Sequence, residues 1–198
     1  MIHSPQSLRY SEPLSFLPEA VRESIVAIAF PRTQAGVLDT VEAPVSETWR
    51  ALETLHHRGL VRLFGLSNFD RGAIAKIVGI ARVPPTLFQV AFNPVEKHED
   101  VLFFCHERRI SMIGHSPLAP DGLLEDPDLQ KIFAGYGKTP AQTVLYWAVQ
   151  RGVVSIPSSV QPDHISANLE ICDFEISETE MRTIDNLETD PCSERARR

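Results

Sequence analysis

Cysteine is scarce in this chain, three residues in 198, and no two of them form a CxxC pair. That excludes a disulfide scaffold and the common zinc-ribbon and redox motifs. It fits a reducing compartment, so the cytoplasm is the expected location. Positive charge is short too. Lys and Arg number 19 against 26 Asp and Glu, a formal net charge of -7. A nucleic-acid backbone or an anionic membrane is therefore not expected as the main partner. No apolar stretch approaches the roughly 20 residues of a membrane helix. The N-terminus has no basic region followed by an apolar one, so no signal peptide is expected. There is no GxGxxG after a strand, no GxxxxGKS/T loop and no GxSxG elbow, which removes the commonest dinucleotide, nucleotide and hydrolase signatures.

What is present is an ordinary globular composition, 43% hydrophobic and 23% charged, enough for one domain with a core. From residue 46 the pattern alternates. SETWRALETLHHRG reads as a helix with Ser46 as N-cap, Trp49, Leu52 and Leu55 on one face and Gly59 as its stop. LVRLFGLS (60–67) is a near-continuous apolar run, expected as a strand covered on both faces. DRGAIAKIVGIAR follows, with Ile74, Ile77, Val78 and Ala81 at helical spacing. Strands are then expected at 86–92, 110–116 and 153–157. Helices are expected at 98–109, 127–136, 140–151, 162–169 and 177–187. Capping boxes mark two of the starts, Thr139 with Gln142 and Ser177 with Glu180. Met1–Ser4 reads as a further strand. Residues 5–45 are long for a loop, with an amphipathic stretch in PEAVRESIVAIAF, and the chain after Leu187 reads as a solvated tail. Alternating strands and helices imply a parallel α/β sheet, open or closed into a barrel. About five strands fall short of an eight-stranded barrel, which takes about 250 residues.

The strand ends carry the informative polar groups: His3 and Ser4, Ser67 and Asn68, His115 and Ser116, Ser158 and Ser159, with Gln89 inside its strand and Asn93 after it. Ser and Asn also cap helices, so any one of them has a structural explanation. In parallel α/β folds, however, ligands bind where strands end, and these groups suit a planar polar ligand. No metal set is expected. His98 and His106 are about two turns apart on one helix, Cys105 shares the apolar stripe of Val101 and Phe104, and Asp126 and Asp128 sit where a helix start favours carboxylates. His56 and His57 read as complements to a helix C-terminus.

GLSNF, FQVAFNP, HSPLAPDGLL, GKTPAQTVLYWAVQRGVVSIP and HISANLEICDFEIS, in this order, resemble the landmarks of the aldo-keto reductases. The likeness runs from MIHSP to about Leu187 and is weak over 9–44. It implies an incomplete (β/α)8 TIM-type barrel of about five parallel strands over residues 1–187, an atypical loop at 9–44 and a tail at 188–198. The implied activity is NADPH-dependent reduction of small aldehydes and ketones. By the same resemblance His3 is the catalytic histidine, while Ser67, Asn68 and Gln89 hold the nicotinamide carboxamide. His115 stands where the family has a stacked aromatic, Ser116 and Leu118 run along the pyrophosphate, and Ser159 and Asn168 belong to the adenine end.

Ser158 replaces the Lys expected at the 2′-phosphate, His164 an Arg and Ala167 a Glu, so NADH becomes an alternative cofactor. The resemblance puts MIHSP on the family's fourth strand, and the catalytic Asp, Tyr and Lys on strands that would precede it. As written, the chain is expected to be a very poor reductase. The alternative is a non-catalytic nucleotide- or partner-binding half-barrel, with self-association through open barrel edges.

Overall fold

A computed structural model describes residues 44–119 and 122–187, together with the backbone of a short antiparallel pair, β1 (Ser7–Leu8) with β2 (Thr40–Val41). The expected strand at Met1–Ser4, the histidine within it, the amphipathic stretch before residue 31 and the C-terminal tail lie outside the described residues.

Helix α1 (Val45–His57) leads into β3 (Gly65–Ser67), and α2 (Arg71–Ile80) into β4 (Leu87–Ala91). Helix α3 (Glu99–Glu107) precedes β5 (Ser111–His115). Two helices, α4 (Pro127–Tyr136) and α5 (Pro140–Gln150), precede β6 (Val153–Ile156), and α6 (Pro162–Ala167) and α7 (Glu178–Asp185) complete the order. The sheet runs β3-β4-β5-β6, every pairing parallel. This is the consecutive order of a barrel segment. Among the described residues neither β3 nor β6 has a second neighbour. The fold is a partial α/β barrel, as the alternation implies.

Local chemistry sets the helix starts. Asp70 accepts from the Ala73 amide at 2.8 Å to open α2. Asp126 accepts from the amides of Asp128 and Leu129 before Pro127 opens α4, and Gly137, at φ 64°, closes that helix. Both expected capping boxes are formed. Ser46 is not a cap: the cap position falls two residues earlier, at Pro44, with no side-chain bond. Proline sets φ near -60° there and brings no amide of its own, so the hydroxyl two residues on falls inside the first turn.

The apolar run 60–67 is strand only over Gly65–Ser67, and Leu60 and Leu63 are exposed. Apolar content without periodicity does not fix a strand's length. The register begins only at Gly65, opposite Leu87. Gly65 is required there, because a Cβ would lie 2.0 Å from the Leu87 carbonyl oxygen. Gly65–Ser67 is buried on both faces as expected, but the strands that follow are not. In β4, Phe88 and Val90 are buried beneath the helices while Leu87, Gln89 and Ala91 are half-buried on the other face.

That helix-covered face holds the core: Trp49, Phe64, Leu66, Ile74, Phe88, Phe92, Leu129, Val144 and Trp147 are fully or almost fully enclosed. Cys105 belongs to it, and burial pushes its thiol up to about 11. Phe92 stacks on Trp147, centroids 5.2 Å apart. Trp147 donates to Asp185, which also accepts from Arg151, and Arg151 in turn pairs with Glu99, so α3, α5 and α7 are tied together. Beneath the other end of the sheet, Glu53 of α1 accepts from the amides of Arg82 and Val83 at 2.7 and 3.0 Å. His56 and His57 turn their rings to the carbonyls of Val61 and Glu53. No helix among the described residues is long and apolar enough to cross a membrane.

Candidate functional site

Parallel pairing brings the ends of β3, β4 and β5 to one rim. Ser67 stands opposite Gln89, which stands opposite Ile113, and two residues further on Ala91 stands opposite His115. The ladder runs one step past β3, where the Asn68 amide donates to the Gln89 carbonyl at 3.0 Å. The predicted neighbours Ser67, Asn68 and Gln89 are therefore held by backbone bonds, whatever their side chains do.

The side chains differ in environment. Ser67 is wholly enclosed, and its hydroxyl has no hydrogen-bond partner among the described residues. Gln89 is half-buried on the face away from the helices. Asn68 is exposed, with φ 60°, and Ser116 is exposed, with φ 52°. Left-handed backbone at two non-glycine residues on one rim is uncommon, costs of order 1–3 kcal/mol each and tends to gather at functional sites. Asn tolerates this conformation, a signal readable in SNF. Ser116 precedes Pro117, and nothing in its sequence announced it.

The His115 ring bridges the two. Its Nε2 is 3.4 Å from Asn68 Oδ1, and its Nδ1 is 2.9 Å from Ser116 Oγ. Behind the rim Gly114 leaves room for Phe92, whose Cβ would lie 2.8 Å from any Cβ added there. Asn93 is buried just after β4, and its Oδ1 accepts from the amides of Val95 and Glu96, a turn that carries the chain away from the rim. Leu118 is half-buried against the core.

The residues beyond β6 are arranged otherwise. Ser158 and His164 are exposed, and the Ser159 hydroxyl is used locally, accepting from the Gln161 amide at 3.1 Å. Asn168 is half-buried at the end of α6. Gln142 holds this segment from below, donating to the carbonyls of Ala167 and Glu170. Among the described residues no group of three His, Cys, Asp or Glu could hold a metal ion. His3 lies outside the described residues.

Ser67, Asn68, Gln89, His115 and Ser116 thus set amide, hydroxyl and imidazole groups along the rim, suited to orienting a planar polar ligand by hydrogen bonds, with Asp70, Arg71 and Glu96 lining the cavity beside Asn68. Comparison with known proteins gives that rim a context. The Aldo/keto reductase family model matches residues 24–189. Aldo-keto reductase family 1 member A1 of Xenopus tropicalis is 38% identical over 168 residues, covering 80% of this chain and 51% of that protein. The chain spans about half the length of the curated relatives it matches. Among solved structures, the aldose reductase of Schistosoma japonicum superposes with a TM-score of 0.81 at 28% identity, covering 93% of this chain and 56% of that one. A silkworm (Bombyx mori) aldo-keto reductase complexed with NADPH gives 0.71 at 27%, over 81% and 53%. The matched residues take in all four parallel strands and every helix packed on them, so the likeness is one of the whole described fold and the chain belongs to the aldo/keto reductase family.

Proposed function

We propose that this chain supplies the cofactor-holding part of an oxidoreductase that reduces small aldehydes and ketones with NADPH, and that it accepts NADH as well. The observation that carries the reading is the Ser67 hydroxyl, buried at a strand end with no hydrogen-bond partner among the described residues. Leaving a buried hydroxyl unpaired costs about 1–3 kcal/mol. A flat carboxamide laid across the strand ends would restore that bond, with Gln89 next to Ser67 in register and Asn68 following it. These three residues fit a nicotinamide amide, which needs both donors and acceptors. His115 offers a planar ring beside them, and Ser116 and Leu118 continue the rim in the direction a pyrophosphate would take.

The cofactor, when bound, supplies the hydride. The chain's own residues bind and orient. Ser67, Asn68 and Gln89 fix the plane of the nicotinamide, so that one face of the ring is offered to the substrate. His3, by the family resemblance, donates a hydrogen bond that aligns the substrate carbonyl. At the adenine end Ser159 and Asn168 remain as polar contacts. Ser158 and His164 put no permanent cation where a 2′-phosphate would lie, which supports acceptance of NADH beside NADPH.

Titration of the full chain with NADPH, followed by the fluorescence of the reduced nicotinamide, tests this. Saturable binding is expected. Ser67→Ala should weaken it about tenfold, about 1.4 kcal/mol, without lowering the denaturation midpoint, because the hydroxyl it removes has no partner among the described residues. No saturable binding, or a variant that binds as tightly as the wild type, overturns the reading.

A further inference from the structure

We infer that the end of the sheet opposite the strand-end rim is a docking surface for anionic lipid, made of free arginines and two protruding leucines. Between the last residue of each helix and the first of the following strand lie segments 58–64, 81–86, 108–110 and 151–152. They hold Arg58, Arg62, Arg82, Arg108, Arg109 and Arg151, and no Asp, Glu or Lys. Because every pairing is parallel, all four segments enter the sheet at one end. Backbone bonds set three of them side by side. The Thr86 amide donates to the Phe64 carbonyl at 3.1 Å, and the Ser111 amide to the Thr86 carbonyl at 3.0 Å. Helix α1 pins the first two: Glu53 accepts from the Arg82 amide at 2.7 Å, and the His56 ring meets the Val61 carbonyl at 3.1 Å.

Two of these arginines are already engaged. Arg151 pairs with Glu99 and Asp185, and the Arg108 guanidinium lies 3.8 Å over the Phe104 ring, beside Glu107. Arg58, Arg62, Arg82 and Arg109 are exposed and enter no ion pair among the described residues. Glu53, which feels the Arg82 charge, is buried and bound to two amides. Apolar side chains stand out among the free arginines. Leu60 and Leu63 flank Arg62 and are 63% and 64% exposed, and Ile80, at the end of α2, is 54% exposed. Val61 packs against the core, so the loop presents Leu60, Arg62 and Leu63 on a fixed support.

A guanidinium grips phosphate or carboxylate through two parallel bonds, and a phosphatidylserine headgroup offers both. Leucines beside it seat in the boundary between headgroups and acyl chains. A single-stranded nucleic acid matches the charge but binds by stacking on aromatic side chains, and the one aromatic in these segments, Phe64, is buried. A folded acidic partner needs hollows shaped to these protrusions, whereas a bilayer deforms around them. The net charge of -7 is a sum over the whole chain, and charges more than about 10 Å away are largely screened at about 0.1 M salt. The expectation against an anionic membrane therefore holds for the average charge and not for this end. Docking here leaves the opposite rim open.

The test sediments the full chain with vesicles of phosphatidylcholine alone and of phosphatidylcholine with about 30% phosphatidylserine. Binding is expected to the anionic vesicles only, falling steeply between about 0.05 M and about 0.5 M salt. Arg58→Gln with Arg62→Gln should lower the partition coefficient about twentyfold, about fivefold for each charge lost. Lys131→Gln with Arg182→Gln removes the same net charge from exposed positions on α4 and α7 and should leave partition unchanged. Leu60→Asn with Leu63→Asn should lower it several-fold while keeping the salt dependence. Equal sedimentation with both vesicle types, none with the anionic ones, or an equal loss in the Lys131 and Arg182 variant overturns the inference. A leucine variant that partitions like the wild type overturns it too, because no side chain would then be seated in the bilayer. Each of these results leaves the nicotinamide reading to its own titration.

Discussion

The two sides of the strand-end rim are built differently. From β3 to β5, Ser67, Asn68, Gln89, His115 and Ser116 are set by register and joined by ladder and side-chain bonds, with Phe92 and Trp147 packed behind them. Beyond β6 the polar residues lie on or beside α6, six residues long with no buried side chain. Val154 and Ile156 of β6 are 57% and 43% exposed. Two bonds from Gln142 and one from Lys138, to the carbonyls of Ala167 and Glu170, hold that segment's end. A site held by a ladder loses little freedom when it binds, whereas one carried on a short surface helix must be ordered first. On the proposed reading, the amide end is thus where affinity is prepared in advance, and the phosphate end is where preference can drift at little cost to the fold.

The strongest blow to the first side comes from behind it. Trp147 is wholly enclosed, stacks on Phe92 just past β4 and donates to Asp185 at 2.9 Å. Trp147→Ala should cost about 3–5 kcal/mol in urea unfolding, the usual loss for a large buried aromatic. A loss below about 1 kcal/mol would mean that the rim is not held through this stack.

The entry to β4 is the next place to press. Glu53 accepts from two backbone amides just before that strand, and Trp49 Nε1 donates to the Val83 carbonyl beside it. The bond from the Val83 amide holds the Glu53 carboxyl below its ordinary range, against the opposing effect of burial. A group with a lowered folded-state pKa contributes stability that is full above its unfolded value, about 4.3, and is lost as pH falls through the folded value. Glu53→Ala should cost about 1–3 kcal/mol at neutral pH by leaving two amides unpaired. Urea unfolding across pH should also show a shallower acid loss than in the wild type. Equal acid slopes would assign that loss to other carboxylates.

The same division explains what the sequence disclosed. Helix starts were legible because their causes are local: Asp70, Asp126 and both capping boxes act within three residues. The strand ends were legible because apolar runs stop where Ser67, Asn68 and His115 begin, and the family landmarks named their neighbours. Three features were not legible, because each depends on something distant in the chain. Leu60 and Leu63 look like strand residues but have no partner in the register. The exposed inner residues of β6 read as buried because their coverage is tertiary. The bridge from His115 to Asn68 joins residues 47 apart and needs the left-handed turns at both ends, which apolar periodicity does not encode.

The smallest expected effect gives the sharpest reading of the contrast. Ser158 is exposed after β6, and on the proposed reading a lysine there would meet a 2′-phosphate. Ser158→Lys should favour NADPH over NADH by about fivefold, about 1 kcal/mol, since a solvent-exposed cation gains little even from a phosphate. The gain should shrink as salt shortens the reach of the charge. Affinity for NADH, which has no phosphate to meet the lysine, should stay unchanged. If the amide end is prepared independently of the phosphate end, Ser67→Ala and Ser158→Lys act on separate parts of one ligand, and their free energies should add within about 0.5 kcal/mol. A larger coupling in the double variant would mean that the soft end orders the firm one, and the two sides would then be one site with one cost.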